Sequence, residues 1–312
     1  MDIPWLNPLV QNWRRSAAEG RAPHAVLLLG AKGTGKRCAA AWLAAERLGL
    51  TPADAAPSYP LAIPAHADIR WLSPPEDKQS IGIEQIRELI ASMSLTSYEG
   101  RGKVAIIDPA NAMTAAATAS LLKTLEEPPG DALLVLIADK LGRLPATILS
   151  RCQRVNVALP DETASLAWLE QLQPSTSWPA ALRAAGDAPL AAIQAAERLE
   201  ETDSMAKEFA ALAERRASPL EIAGRWSKRE PEFVLDWLGR QVQLCILRVF
   251  GGLSAGGGVS DSVLQRMDRR NLFCYLDAIN KLRGQPAGSY NLQLNLEALL
   301  IDWAGGLPHR EF

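Results

Sequence analysis

Cysteine and histidine are scarce in this sequence. Its 312 residues include four cysteines, Cys38, Cys152, Cys245 and Cys274, and three histidines, His24, His66 and His309. The cysteines stand far apart and form no C-x-x-C pair, so a zinc site has little to build on. Reduced, individually buried thiols are the expectation. No apolar run reaches the length of a membrane span. The opening Met1-Asp2-Ile3-Pro4-Trp5 has neither the charged start nor the apolar core of a secretion signal, which makes a cytoplasmic location the default expectation. Excess charge is missing too. A formal net charge of −2 argues against a protein whose main task is to coat nucleic acid, because affinity for phosphate needs a basic surface.

Hydrophobic residues make up 48% and charged residues 22%, the balance of an ordinary globular protein, and the length suits two or three domains. The first half alternates strand and helix. Ala25–Leu29, Ile69–Leu72, Val104–Ile107, Leu133–Ile137 and Val155–Leu159 read as strands. Helices are expected from about Gly35, over Ile83–Leu95, and from an N-cap at Thr114 to the stop at Pro128-Pro129. Strands separated by helices imply a parallel sheet covered on both faces. After Pro160 no strand-like run appears, and alanine and leucine recur at helical spacing, broken at Pro174, Pro189, Pro219 and Pro231. Ser254 to Gly258 reads as a loop. The expected class is therefore α/β plus all-α, with a sheet domain over 1–159, a small helical domain over 160–205 and a larger helical domain over 206–312.

Between the first strand and its helix lies Gly30-Ala31-Lys32-Gly33-Thr34-Gly35-Lys36, the context that a phosphate-binding P-loop requires. In a working loop the backbone N–H groups and helix N-terminus hold phosphates, the lysine reaches the outer phosphates, and a following Ser or Thr ligates Mg²⁺. Here the following residue is Arg37, which has no acceptor atom. Strand Val104–Ile107 then delivers Asp108 where a metal-binding Walker B aspartate would stand. Pro109 follows it in place of the glutamate that orients the attacking water. The loop's shape is kept and its hydrolytic chemistry is broken at two positions.

Two further blocks are more specific. Ser120-Leu121-Leu122-Lys123-Thr124-Leu125-Glu126-Glu127-Pro128-Pro129 and Leu144-Pro145-Ala146-Thr147-Ile148-Leu149-Ser150-Arg151-Cys152, placed after a P-loop and a Walker B strand, resemble bacterial DNA polymerase III clamp-loader subunits of the AAA+ class. The broken site resembles the subunits that do not hydrolyse ATP more than the hydrolysing gamma/tau subunits. The resemblance implies an AAA+ P-loop domain, a helical lid and a helical collar domain closed by Asn291–Trp303. It also implies an accessory subunit with delta and gamma/tau partners, acting on the sliding clamp and primer-template DNA through the complex. Ser150-Arg151-Cys152 matches the family's S-R-C motif, whose arginine projects into a neighbour's ATP site. From spacing alone, Arg151 could equally cap the preceding helix or pair with a carboxylate.

In the lid, Gly186-Asp187-Ala188-Pro189 falls where family ATPases carry a nucleotide-sensing arginine, so Pro189 would remove a third contact. Members often carry a four-cysteine zinc module after the first helix, and no cysteine lies between Leu48 and Arg70, so no zinc and no other cofactor is expected, while Lys36 leaves weak nucleotide binding open. Two competing readings are an active ATPase of the same complex, since Lys36 is retained, and a stand-alone DNA-binding module. The second would use Arg14-Arg15, Arg215-Arg216, Lys228-Arg229 and Arg269-Arg270, although Glu214, Glu230 and Asp268 beside them suggest solvated helix faces.

Overall fold

The computed structural model describes residues 1–52, 54–75, 78–139, 144–251, 259–265, 267, 269–285 and 290–307. The expected Ser254–Gly258 loop, His309, Asp268 and the Arg269 side chain lie outside this description. The chain forms two compact units, Met1–Glu197 and Arg198–Phe312.

The first unit is built on five strands, β1 (Ala25–Leu29), β2 (Ile69–Leu72), β3 (Val104–Ile107), β4 (Leu133–Ala138) and β5 (Gln153–Asn156). Their order is β2-β3-β4-β1-β5, and every pairing is parallel. Around the sheet run α1 (Asn7–Ala18), α2 (Lys36–Arg47), α3 (Ile83–Met93), α4 (Ala115–Glu126) and the short α5 (Ala146–Leu149). The central strands β1, β3 and β4 are buried along their whole length, as the unbroken apolar runs require when both faces are covered. Alternate residues, among them Leu27, Leu29, Ile107 and Leu134, share one core with Ile86 and Leu89 of α3 and Leu121 and Leu125 of α4. The other face receives α2, whose Ala39, Ala40, Leu43 and Ala44 are buried.

Helix boundaries follow local chemistry. The Thr114 hydroxyl accepts from Ala117 N–H at 3.2 Å, capping α4 as its sequence predicts. Helices α6 (Glu162–Leu172), α7 (Trp178–Ala184) and α8 (Pro189–Glu197) complete this unit. The second unit holds α9 (Leu199–Ala213), α10 (Pro219–Trp226), α11 (Pro231–Gly251), α12 (Asp261–Leu264), α13 (Arg269–Arg283) and α14 (Leu292–Ala304). Pro189, Pro219 and Pro231 are the first residues of helices, where the missing N–H costs nothing. The core of this unit is aromatic. Phe209 stacks on Trp303 with centroids 4.1 Å apart, and Tyr275 donates to the Leu299 carbonyl at 2.9 Å.

Two boundaries differ from the sequence expectation. Strand β5 is Gln153–Asn156 rather than Val155–Leu159. It is an edge strand, paired only with β1, so its pairing follows the position of β1 and not the apolar stretch Val155–Leu159. The two units meet at Glu197/Arg198, whereas residue 205 lies inside α9, a continuous helix whose Met205, Phe209 and Leu212 enter the second core.

Candidate functional site

Because the strands are parallel, the carboxyl edge of the sheet gathers the P-loop after β1, Asp108 after β3 and Asp139 after β4. The loop adopts the backbone its glycines permit: Gly33 has φ +84° and Gly35, at the N-cap of α2, has φ +94°. Lys36 does not reach outward. It is buried, and its ammonium donates to the carbonyls of Gly30 and Ala31, both at 2.7 Å, and pairs with Asp139 Oδ1 at 2.8 Å. Thr34 is fully buried, with its hydroxyl on the Ala31 carbonyl at 2.9 Å.

Arg37 fills the metal-ligand position with a cation. Its Nε lies 2.7 Å from Asp108 Oδ2, and its guanidinium sits over the Trp71 ring at 5.7 Å. The Trp71 indole also donates to Asp108 Oδ2 at 3.3 Å. Burial pushes the Asp108 carboxyl above its ordinary range, while Arg37 and the Trp71 N–H pull it down. Pro109 follows and contributes no acceptor side chain.

The loop is also covered by protein. The Gly186-Asp187 turn, with both residues at positive φ, brings α8 onto the loop. Leu190 N–H donates to the Gly33 carbonyl at 3.1 Å, and a Cβ on Gly33 would fall 2.5 Å from Ala191 Cβ. Pro189, expected in place of a sensing arginine, is buried as the first residue of this helix. From the other side the Trp5 indole donates to the Thr34 carbonyl at 2.8 Å. Trp5 packs edge-on against Trp168 of α6, and Trp168 donates to the Asp2 carbonyl at 2.7 Å. Gly30 has no room for a side chain either, since a Cβ would lie 2.3 Å from the Val157 carbonyl oxygen.

A Mg·nucleotide fits these residues poorly. The outer phosphates need a free lysine, the metal needs a hydroxyl and an uncommitted carboxylate, and the loop amides need open space. Here the lysine and the aspartate are each paired within the protein, the hydroxyl is an arginine, and α8 lies on the loop.

Arg151 lies elsewhere. Gln153 pairs with Val26 near the start of β1, so Ser150-Arg151-Cys152 stands at the amino edge of the sheet. A five-residue strand, about 16 Å long, separates that edge from the P-loop. The Arg151 guanidinium donates through Nη1 to the Thr147 carbonyl at 3.0 Å and to Ser150 Oγ at 3.2 Å. Its Nε donates to Glu126 Oε1 at 2.6 Å, and Nη2 reaches the same oxygen. In the isolated chain Arg151 thus both caps α5 and pairs with a carboxylate, the alternative arrangement that its spacing allowed. Cys152 is buried and burial pushes its thiol up to about 11.

Burial likewise pushes the Cys38 and Cys245 thiols up to about 11, but Cys274 is exposed on α13, which corrects the expectation of four buried thiols. That helix turns Phe273 and Cys274 outward while Leu272 and Tyr275 face the core. Among the described residues no three His, Cys, Asp or Glu side chains gather as a metal-ion site, and no helix is long and apolar enough to cross a membrane. The basic pairs are largely engaged with acidic neighbours: Arg14 with Glu46, Arg216 with Glu214, and Arg229 with Glu201.

Asp139, Trp71, Trp5 and Glu126 escaped the sequence reading as site residues. Asp139 at the end of an apolar strand was the one with a usable signal, since parallel strands deliver their last residues to one edge.

A family model described as DNA polymerase III, delta subunit, matches residues 5–161. The DNA polymerase III subunit delta' of Pseudomonas aeruginosa is 32% identical over 96% of this chain and 97% of its own length. The subunit of the same name from Bacillus subtilis is 40% identical over 49% of each chain. The crystal structure of a DNA polymerase III gamma subunit-related protein from Thermotoga maritima superposes with a TM-score of 0.53 over 95% of this chain and 99% of that one. At 19% identity that match speaks for the fold alone, a parallel-sheet domain followed by helices. With a full-length relative and a family model covering half the chain in agreement, the protein belongs to the DNA polymerase III delta' subunit family.

Proposed function

We propose that this chain is a non-hydrolysing subunit of the DNA polymerase III clamp loader that lends Arg151 to the ATP site of a neighbouring gamma/tau subunit. Delta and gamma/tau are its partners in this reading, and the sliding clamp and primer-template DNA are reached through the assembly. The observation that carries it is the self-occupied loop, in which Lys36 is held by Asp139 and Arg37 by Asp108. A site whose charges are already satisfied gains little from phosphate and supplies no metal ligand. The position of Arg151 supports the second half. It lies on the sheet edge away from its own P-loop, so phosphate contact requires another subunit. A guanidinium meeting charge on a γ-phosphate is worth about 10³–10⁵ in rate in other systems.

The stretch 160–205 acts in this reading as a lid fixed on the loop through α8, and 206–312 as the collar that joins the other subunits. The test is a loader reconstituted with delta and gamma/tau. The expected result is co-assembly, no sustained phosphate release by the isolated chain with Mg·ATP, and slowed ATPase and clamp loading with Arg151→Ala. Turnover by the isolated chain, or unchanged rates with Arg151→Ala, would overturn the corresponding half.

A further inference from the structure

Glu126 belongs to the Leu125-Glu126-Glu127 stretch, and the proposed function assigns it no part. It ends α4, where a carboxylate meets the negative end of the helix dipole and is unfavourable for the helix itself. Helix stability therefore does not account for a glutamate there. What the position does supply is a partner for Arg151: Glu126 Oε1 receives both Nε and Nη2. With Nη1 spent on Thr147 O and Ser150 Oγ, four of the five guanidinium N–H groups are committed within the chain, and the charge is neutralised.

We propose that Glu126 is a positioning residue that parks Arg151 and yields it only to a γ-phosphate. This rests on the trans reading of Arg151 given above. Both partners are partly exposed, Arg151 at 31% and Glu126 at 49%, so the pair is weak and can be displaced. A terminal phosphate carries more charge and more acceptor oxygens than a carboxylate, and it takes over the Nε/Nη2 edge that Glu126 vacates. A neighbour holding a nucleoside diphosphate offers no such group, and Arg151 stays with Glu126. The carboxylate thereby makes engagement of the finger conditional on the neighbour's nucleotide, and Thr147 and Ser150 keep the guanidinium plane oriented through the exchange.

The experiment is a double-mutant cycle in the reconstituted loader, with Glu126→Gln, Arg151→Ala and the pair, following ATPase kcat and KM. Glu126→Gln is expected to lower KM for ATP about two- to fivefold, the equivalent of an exposed ion pair, with kcat within about twofold of the parent. In the Arg151→Ala background the Glu126→Gln change should have no effect. An equal effect of Glu126→Gln with and without Arg151, or an unchanged KM in a loader where Arg151→Ala slows hydrolysis, would overturn the parking role. If Arg151→Ala alone changes nothing, the trans reading itself falls and takes this one with it. Glu126→Ala repeats the cycle without an amide in place, and unchanged thermal denaturation of both isolated variants separates these results from a folding defect.

Discussion

The Lys36 ammonium lies 2.8 Å from the Asp139 carboxylate, bridging the loop after β1 to the end of β4. In an ATPase of this fold that lysine is a ligand for phosphate, and removing it costs activity more than stability. Here its bonds to Gly30 and Ala31 are internal and buried. Lys36→Met is therefore expected to lower the unfolding free energy by about 1–3 kcal/mol, mainly from the carbonyls left unsatisfied, while the loader's ATPase rate is unchanged. Chemical denaturation of the chain and phosphate release by the complex measure the two effects separately. A large loss of ATPase with intact stability would contradict the arrangement.

Gly33 carries a second expectation. A methyl group there meets Ala191 Cβ at 2.5 Å and Ala191 N at 2.6 Å, on a backbone at φ +84°. Gly33→Ala should cost about 2 kcal/mol or more, from the left-handed backbone and the displaced helix together. The Leu190–Gly33 hydrogen bond should be lost with it. Faster amide exchange at Leu190 in the variant, against little change in β3 and β4, is the measurement.

Much of this site was legible because the pattern is local. A strand, a glycine loop and a helix start are adjacent in sequence, so Arg37 in place of a hydroxyl and Pro109 after Asp108 could be read without a structure. The pairing of these residues could not. Trp71 reaches Asp108 from a neighbouring strand, Asp139 reaches Lys36 from another, and Trp5 and Ala191 arrive from opposite ends of the unit. Nothing in the spacing of such residues encodes their meeting. Helix starts at prolines were similarly local, whereas β5 was misplaced because an edge strand is positioned by its single partner rather than by its own hydrophobicity. Glu126 was visible as part of a motif, but its grip on Arg151 depends on how α4 and α5 pack.

Asp68 ties the protein's stability to acid pH. It is buried, and although burial opposes its charge, Lys103 at 2.8 Å, Tyr98 N–H at 2.7 Å and Ser97 Oγ at 3.0 Å hold its carboxyl at about 2. A depressed folded value means that the contribution is complete above the unfolded pKa near 3.8 and is lost as pH falls toward 2. Its size is about 2 kcal/mol. Stability of the parent should thus fall between about pH 4 and pH 2, and Asp68→Asn should flatten that part of the curve. The variant should also be less stable at neutral pH by about 3 kcal/mol, because the partly buried Lys103 is left without its partner.

The thiols offer a simple check of the second unit. Cys274 is exposed, whereas Cys38, Cys152 and Cys245 are buried with thiols near 11. One equivalent of a chromogenic disulfide reagent should react rapidly with the native chain, and the remaining three only on unfolding. Cys274→Ser should abolish the rapid phase. Persistence of a fast equivalent in that variant would place another thiol at the surface.

The ion pair between Arg37 and Asp108 also bears on how such a site changes over generations. A substitution that returns a hydroxyl at Arg37 releases Asp108 but leaves Pro109 without a base and Lys36 bound to Asp139. Repair of Pro109 alone leaves the arginine in the metal position. Each step toward hydrolysis gives up an internal bond before any turnover exists to compensate, so the route back runs downhill in stability with no gain in activity until several positions have changed together. In the proposed non-hydrolysing reading, loss of hydrolysis at this loop behaves as a ratchet.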